Sequence, residues 1–252
     1  MPSRAPASPS PTAASLINPV IAALDVVPLD AALRLAERVQ PFVGAFKVGS
    51  VLFAAEGPAA VHRLRAMGAP VFLDLKFHDI PHTVAEAVAQ ATRLDVQMLT
   101  VHAGGGRAMM QAAETSAQQT AAALQRPPPL ILGVTVLTSL DPAALAELGL
   151  PHPLPAQVEL LARLAAHAGL RGLVCSPLEI EPLRRFLPKP FVLVTPGIRS
   201  GSDPAGDQKR TLSARAALDA GATWLVIGRP ICAAPDPALA ARRILDDLRQ
   251  AP

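Results

Sequence analysis

Residues 70–93, PVFLDLKFHDIPHTVAEAVAQATR, join a short apolar run to a longer segment in which apolar residues recur at helical spacing. The run at 70–75 has the length and composition of a buried strand, and the segment at 80–93 has the period of an amphipathic helix. This stretch therefore predicts one β-strand followed by one α-helix. Because the same two patterns recur on both sides of it, the fold depends on how often they repeat.

The pattern occurs eight times between residue 16 and the end of the chain. Strands are predicted at 20–25, 45–49, 70–75, 97–102, 130–136, 171–175, 191–195 and 223–228. Helices are predicted at 28–40, 57–67, 80–93, 105–123, 156–168, 178–186, 208–220 and 236–250. Three of the helices are followed by a glycine, as is typical of helix C-caps: Gly68, Gly169 and Gly221. We expect an α/β fold, a single-domain (β/α)8 TIM barrel over residues 16–252, with an open doubly wound sheet as the alternative.

The composition indicates a globular protein with a large core. Of the 252 residues, 50% are apolar and 17% are charged, and the formal net charge is only +3. This balance argues against a disordered chain and against a nucleic-acid-binding surface, so any bound phosphate should belong to a small molecule. Residues 1–15, MPSRAPASPSPTAAS, have little to bury, and we expect them to form a flexible tail.

The sequence carries no recognisable signal for a membrane or for secretion. No apolar run approaches the roughly 20 residues of a membrane span, and the apolar stretch 16–24 is interrupted by Asn18 and Pro19. A cytoplasmic location is therefore expected. Cys175 and Cys232 lack the spacing of a metal site, and we interpret both as buried free thiols.

Polar residues lie where the predicted strands end. In a (β/α)8 barrel the carboxyl ends of all strands meet on one face, and active sites form there. Charged groups in or beside apolar strands are costly to bury unless they are paired, so their coincidence at one face indicates a functional site. The residues concerned are Asp25, Lys47, Asp74, Lys76, His102, Thr138, Ser139, Arg199 and Arg229.

The third strand carries the densest group of charges. Side chains alternate along a strand, so Asp74 and Lys76 should point the same way and form a pair. Lys47 on the second strand is accommodated more easily if Asp74 faces it. Asp79 and Thr83 follow in the loop and the first helical turn, although helix capping is an alternative role for both. An Asp-Lys-Asp array of alternating charge suits a site that moves one proton.

The ends of the last two strands predict a phosphate site, since barrels often hold a phosphate in the loops after strands 7 and 8. Arg199 begins a long polar loop, RSGSDPAGDQKR at 199–210, which suits a mobile lid. Gly228 would let the backbone approach an oxyanion, and Arg229 could donate two hydrogen bonds to it. The glycine-rich stretch 102–106 lacks the Lys-Ser/Thr of a P-loop, and we interpret it as a tight turn.

The segment 73–83, LDLKFHDIPHT, resembles the D-x-K-x-x-D-I-x-x-T motif of the orotidine 5′-phosphate decarboxylase family. The resemblance implies cofactor-independent conversion of orotidine 5′-phosphate to UMP and CO2, the last step of de novo pyrimidine nucleotide synthesis. Other stretches resemble further landmarks of the family, in order over nearly the whole chain: 22–25 (AALD), 46–49 (FKVG), 134–139 (VTVLTS), 195–199 (TPGIR), 206–208 (GDQ) and 226–230 (VIGRP).

The resemblance also implies a role for each matching residue. Lys76 would protonate C6 of the pyrimidine, with Lys47 and Asp74 beside it in a charged network. Asp79 and Thr83 would reach the substrate of the partner subunit in a homodimer. The remaining implied contacts are Asp25 with a ribose hydroxyl, Thr138 and Ser139 with the pyrimidine edge, and Gln208 between the phosphate and the pyrimidine.

We expect no metal and no cofactor, because Lys76 supplies the positive charge that a cation would otherwise provide. Two other functions are considered. A metal-dependent sugar-phosphate decarboxylase of the same suprafamily has a similar third strand but lacks the strand 5 and Gln208 features. A non-catalytic barrel that binds a nucleotide would be expected to have lost one of the charges, and all four are present.

Overall fold

The computed structural model describes residues 18–199 and 211–250. Within them, eight parallel strands form a closed barrel in chain order. The strands are β1 (Val20–Ala23), β2 (Ala45–Gly49), β3 (Val71–Phe77), β4 (Met98–His102), β5 (Leu130–Val134), β6 (Gly172–Val174), β7 (Val192–Thr195) and β8 (Trp224–Ile227). Val20 of β1 pairs with Leu225 of β8, which closes the sheet and excludes the open alternative. The predicted (β/α)8 TIM barrel is confirmed.

Helices lie between successive strands and after the last one. They are α1 (Leu29–Val39), α2 (Ser50–Glu56), α3 (Pro58–Ala66), α4 (Pro81–Arg93), α5 (Gly106–Ala123), α6 (Pro142–Glu147), α7 (Leu154–His167), α8 (Ile180–Arg184), α9 (Ala214–Asp219), α10 (Arg229–Cys232) and α11 (Pro237–Arg249). Seven of the eight predicted helices agree with the structure to within two residues at each end. The helix predicted at 208–220 is shorter, since α9 begins at Ala214 and residues 211–213 are not helical. The predicted C-cap glycines have φ values in the left-handed region: 77° at Gly68, 91° at Gly169 and 110° at Gly221.

Three helices escape the sequence patterns because they are too short to show a period. These are α2, α6 and α10, which span seven, six and four residues. Residues 1–15, predicted to be a tail, lie outside the described residues, as does the first part of the helix predicted at 208–220. No helix within residues 18–199 or 211–250 is both long and apolar enough to cross a membrane.

Alternation along the strands separates two apolar clusters. Strand residues such as Val48, Leu73 and Leu99 belong to a large cluster that also contains the buried faces of the helices. Strand residues of the opposite parity form a second cluster that fills the interior of the barrel. Its members are Ile21, Ala23, Ala45, Phe72, Met98, Leu132, Val194 and Val226.

The inward-facing rows become polar toward the carboxyl ends of the strands. Two residues after the inward apolar positions of β2, β3 and β4 stand Lys47, Asp74 and Thr100. Asp25 occupies the same row just beyond β1. A polar layer therefore lies directly above the apolar interior, at the face where the connecting loops leave the strands.

Candidate active site

A cavity of about 650 Å³ opens at the carboxyl end of the barrel. Its apolar lining includes Phe72, Val134, Val136, Val174 and Val226. The predicted site residues that line it are Asp25, Lys47, Asp74, Lys76, Thr138, Arg199, Gly228 and Arg229. Its volume and its combination of apolar walls with a few converging polar groups are typical of a small-molecule site.

Four charged side chains form a continuous ion-pair network in this cavity. Lys76 Nζ lies 2.8 Å from Asp74 Oδ1, and Lys47 Nζ lies 3.7 Å from Asp74 Oδ2. Lys47 Nζ is also 3.2 Å from Asp25 Oδ1. Charges of opposite sign therefore alternate along the whole network, and Asp74 pairs with both lysines as expected.

The inner and outer members of the network differ in exposure. The side chains of Lys47 and Asp74 are 11% and 13% exposed, whereas that of Lys76 is 36% exposed. The Lys76 ammonium has three N–H donors, and one of them bonds with Asp74. Because Lys76 also lines the cavity, it is placed to donate a proton to a molecule bound there.

Lys76 reaches this position through an irregular part of β3. The strand pairs regularly with β4 up to Leu73, and the register then shifts before Phe77. Within the shift, Lys76 has a φ of 51°, in the left-handed region that residues other than glycine seldom adopt. Asp74 and Lys76 therefore face the same cavity and pair as expected, although the strand between them is irregular.

Gly49 at the end of β2 leaves the room in which Lys47 meets Asp25. A Cβ at this position would lie 2.6 Å from Lys47 Nζ and 3.0 Å from Asp25 Oδ1. The sequence alone gives Gly49 no special role, because one of these two neighbours, Asp25, follows a different strand. The requirement for glycine becomes visible only when the strands are assembled.

Thr100 of β4 is a second residue that the sequence patterns do not identify. It is fully buried, and its hydroxyl contacts both the Lys76 backbone and the Asp74 carboxylate. The one signal for it in the sequence is a polar residue within the otherwise apolar centre of the run at 97–102.

Asp79 and Thr83 do not line the cavity of their own chain, and both are exposed. The Asp79 carboxylate accepts a hydrogen bond from the Ile80 N–H at 2.6 Å. Helix α4 begins at Pro81 after Ile80 as N-cap, and no side chain caps it. The interpretation of Asp79 and Thr83 as capping residues is therefore wrong.

Thr138 and Ser139 lie in a turn that follows β5. The turn is closed by a hydrogen bond from the Leu140 N–H to the Leu137 carbonyl. Thr138 lines the cavity, whereas Ser139 is exposed and does not. The expected contact of these two residues with the edge of a bound pyrimidine stays a prediction.

Cationic groups lie on the β7 and β8 side of the cavity. Arg199 follows β7, and Arg229 begins α10 directly after Gly228. The Nε of Arg199 is buried and has no hydrogen-bond partner among the described residues, so it is available to an anionic ligand. A Cβ on Gly228 would lie 3.6 Å from its nearest neighbour, an ordinary contact, so packing within the chain does not demand glycine there. Gln208 and the rest of the predicted lid after Arg199 lie outside the described residues.

His102 lies at the end of β4 beside the network. Its ring stacks on that of His78 with centroids 5.0 Å apart, and its Nδ1 accepts a hydrogen bond from the Gly104 N–H at 3.2 Å. Burial, followed by the nearby His78 and Lys76, lowers the pKa of His102, so its imidazole is neutral at neutral pH. A short 3-10 turn leads from it into α5, as expected for the glycine-rich stretch.

Neither cysteine forms a disulfide, and of the two only Cys175 is fully buried. The prediction of two buried thiols is wrong for Cys232, which is partly exposed although its Sγ donates a hydrogen bond to the Ala23 carbonyl. Burial, with a contribution from Asp25, raises the pKa of Cys232 to about 12. Within the described part of the chain, no three His, Cys, Asp or Glu side chains are grouped so that they could hold a metal ion.

Comparison with known proteins places these features in one family. The family model described as "Orotidine 5′-phosphate decarboxylase / HUMPS family" matches residues 18–244. The orotidine 5′-phosphate decarboxylase of Moorella thermoacetica is 51% identical over 230 residues, covering 91% of each chain. That of Opitutus terrae is 53% identical over 203 residues, covering 81% of this chain and 86% of its own. A crystal structure of orotidine 5′-phosphate decarboxylase from Lactobacillus acidophilus superposes with a TM-score of 0.81 at 33% identity, covering 92% of this chain and all of the other.

Proposed function

The chain belongs to the orotidine 5′-phosphate decarboxylase / HUMPS family, and from this premise we propose that it converts orotidine 5′-phosphate to UMP and CO2. The observation that carries the proposal is the network in which Lys76 Nζ lies 2.8 Å from Asp74 in a cavity with apolar walls. The reaction would be the last step of de novo pyrimidine nucleotide synthesis, and it would need neither a metal nor a cofactor.

Lys76 is the proton donor in the proposed reaction. The bond between C6 and the carboxylate breaks, CO2 leaves, and the electron pair stays on C6. The Lys76 ammonium then gives a proton to C6, and the neutral amine recovers one from water before the next turnover. The carbanion at C6 has no electron sink, so preorganised positive charge in a site shielded from water must stabilise it. Lys76 supplies both the charge and the proton.

The neighbouring residues hold Lys76 and the substrate. Asp74 bonds with Lys76 and pairs with Lys47, so these three charges hold one another in place. We assign Lys47 and Asp25 to the ribose, because their ion pair lies in the cavity beside the reacting group. Thr138 and Ser139, in the turn after β5, would bind the pyrimidine edge.

The phosphate is assigned to the β7 and β8 side of the cavity. Arg199 offers a buried donor without a partner among the described residues. Arg229 and the backbone of Gly228 lie beside it on the lining of the same cavity. Gln208 is proposed, by its place in the family pattern, to bridge the phosphate and the pyrimidine.

We assign Asp79 and Thr83 to the active site of a partner subunit in a homodimer. Neither lines the cavity of its own chain. Between them stands Ile80, which is 65% exposed. A single exposed apolar side chain is ordinary on a protein surface, so the assignment rests on the family pattern and on the exposure of Asp79 and Thr83. Each site would then draw residues from two chains.

A spectrophotometric assay that follows the loss of orotidine 5′-phosphate absorbance tests the reaction. The wild-type chain should turn over the substrate, and Lys76→Ala should lower kcat by at least about 10³-fold while its circular dichroism spectrum is unchanged. Arg185→Ala, which removes an exposed cation at the end of α8, should leave the rate unchanged and is the matched control. A folded Lys76→Ala variant with a kcat near that of wild type would remove Lys76 from the mechanism.

The same assay separates the alternatives. Activity that survives EDTA supports the metal-free reaction, whereas activity lost with EDTA and restored by a divalent cation would favour a metal-dependent decarboxylase. Tight binding of UMP without turnover would instead favour a non-catalytic nucleotide-binding barrel.

A further inference from the structure

The hydroxyl of Thr100 connects the two ends of Lys76. The Lys76 backbone N–H donates a hydrogen bond to Thr100 Oγ1 at 2.8 Å. Thr100 Oγ1 in turn lies 3.0 Å from Asp74 Oδ1, and this same oxygen accepts the hydrogen bond from Lys76 Nζ at 2.8 Å. The backbone and the ammonium of one lysine are therefore both fixed through a single hydroxyl on the neighbouring strand.

The direction of each hydrogen bond follows from proton counting. A threonine hydroxyl has one proton and two lone pairs. Because the Lys76 N–H can only donate, it uses a lone pair of Thr100 Oγ1, and the hydroxyl proton is left for Asp74 Oδ1. Thr100 is 0% exposed, so water does not compete for either bond. The hydroxyl therefore donates to a carboxylate, which is the stronger kind of hydrogen bond.

The position of Thr100 matches the irregularity in β3. Leu73 of β3 pairs with Leu99 of β4, and Phe77 pairs with Val101. Between these two pairs, β3 has three residues and β4 has one, Thr100. Lys76 is one of the three residues on β3, and its backbone adopts the left-handed conformation. Its N–H bonds with a side chain on β4, so the side chain supports the conformation that aims Lys76 into the cavity.

We propose that Thr100 is a positioning residue that sets the geometry of Lys76 for proton transfer. The proposal rests on the proposed decarboxylation and adds a residue that does not itself line the cavity. Thr100 acts through Lys76 and Asp74 and touches no reacting atom. Its loss should therefore change the chemical step more than the binding of the substrate.

The test compares two substitutions of similar size with different chemistry. Thr100→Val keeps the shape and removes the hydroxyl, whereas Thr100→Ser keeps the hydroxyl. Thr92→Val is the matched control, because Thr92 is also buried and its hydroxyl donates to the Val88 carbonyl within α4, away from the charged network. The measurements are kcat and KM for orotidine 5′-phosphate, with active sites counted by calorimetric titration with UMP.

Thr100→Val is expected to lower kcat per UMP-binding site by about 10- to 100-fold, the usual effect of losing a hydrogen bond to a charged group. Its KM should change by less than about threefold, and Thr100→Ser should stay within about threefold of wild type in both constants. Thr92→Val should keep the wild-type kcat.

Two results would overturn the proposal: a Thr100→Val variant with the wild-type kcat per site, or a Thr100→Ser variant as slow as Thr100→Val. If Thr100→Val does not accumulate as folded protein, Thr100→Ala replaces it, because alanine also lacks the hydroxyl and has a smaller side chain. An inactive wild-type chain would contradict the proposed function itself, which distinguishes that failure from a failure of the Thr100 proposal.

Discussion

At the scale of a single residue, replacing Gly49 should lower activity while leaving the stability of the fold nearly unchanged. A methyl group there would stand 2.6 Å from Lys47 Nζ, the tip of a flexible side chain that can move away. Gly49→Ala should therefore fold with little loss of stability but displace Lys47 from Asp25. We expect kcat/KM to fall by about 10-fold or more, the effect of breaking one hydrogen-bonded charge pair.

Steady-state kinetics and a thermal melt together check the effect of Gly49→Ala. Ser50→Ala, a change at the next and exposed position, controls for substitution at the start of α2. Wild-type kinetics in Gly49→Ala would show that Lys47 tolerates the methyl group without loss of function.

Cys232 should be chemically inert despite its partial exposure. Because its pKa is raised to about 12, almost none of it is thiolate at pH 8, and the thiolate is the nucleophile. Iodoacetamide at pH 8 should therefore leave Cys232 unmodified in the native protein and modify it after denaturation, as measured by mass spectrometry. Rapid native labelling of Cys232 would contradict the raised pKa.

Individual residues differ in how far the sequence predicts them. The sequence predicts that Lys47, Asp74 and Lys76 interact, because a charge buried in an apolar strand is costly unless it is paired. Thr100 and Gly49 are not, since their roles come from contacts with other strands. A buried threonine or a glycine in a strand carries little information until its neighbours are known.

At the scale of the element, the end of β4 should make stability depend on pH. The folded pKa of His102 is below its ordinary value of 6.5, so the unfolded chain binds the proton more readily than the folded chain. As pH falls through 6.5 toward the folded pKa, His102 therefore removes stability, and above 6.5 it has no such effect. His102→Asn keeps an acceptor for the Gly104 N–H and cannot titrate.

Urea unfolding between pH 8 and pH 5 measures this contribution. The free energy of unfolding of the wild-type chain should decrease more steeply below pH 6.5 than that of His102→Asn. Equal slopes for the two proteins would mean that His102 binds its proton equally in the folded and unfolded states.

Regular elements are predictable, whereas their irregularities are not. Each strand of the barrel appears in the sequence as an apolar run, because a parallel strand buried on both faces needs one. The left-handed Lys76 within β3 is invisible in the same run, since a bulge is defined by the register between two strands. The short helix α10 is likewise hidden, because four residues cannot show a helical period.

At the scale of the whole molecule, shared active sites predict that two inactive variants can rescue each other. If Asp79 serves the partner's site, Lys76→Ala and Asp79→Ala each inactivate every site in their own homodimers. In a mixed dimer, one site carries both substitutions and the other carries neither. Equimolar mixing with subunit exchange should therefore restore about a quarter of the wild-type activity.

The mixture is assayed against each variant alone. A mixture that stays as inactive as its components after subunit exchange would contradict the shared site. So would an Asp79→Ala homodimer with full activity.

Closure of the barrel is the whole-molecule property that the sequence leaves open. Eight repeats of strand and helix fit both a barrel and an open sheet, because each repeat specifies only its neighbours in the chain. The pairing of β1 with β8, a contact between strands far apart in the sequence, distinguishes the barrel from the open sheet. No local pattern in either strand records it.

The pairing of β1 with β8 also determines when the barrel can close during synthesis of the chain. Val20 lies near the start of the described chain, and its partner Leu225 lies near the end. Contacts between residues so distant in sequence form slowly, and domains fold as units while they emerge from the ribosome. One edge of β1 therefore has no partner strand until β8 has been translated, and the barrel can close only after that point.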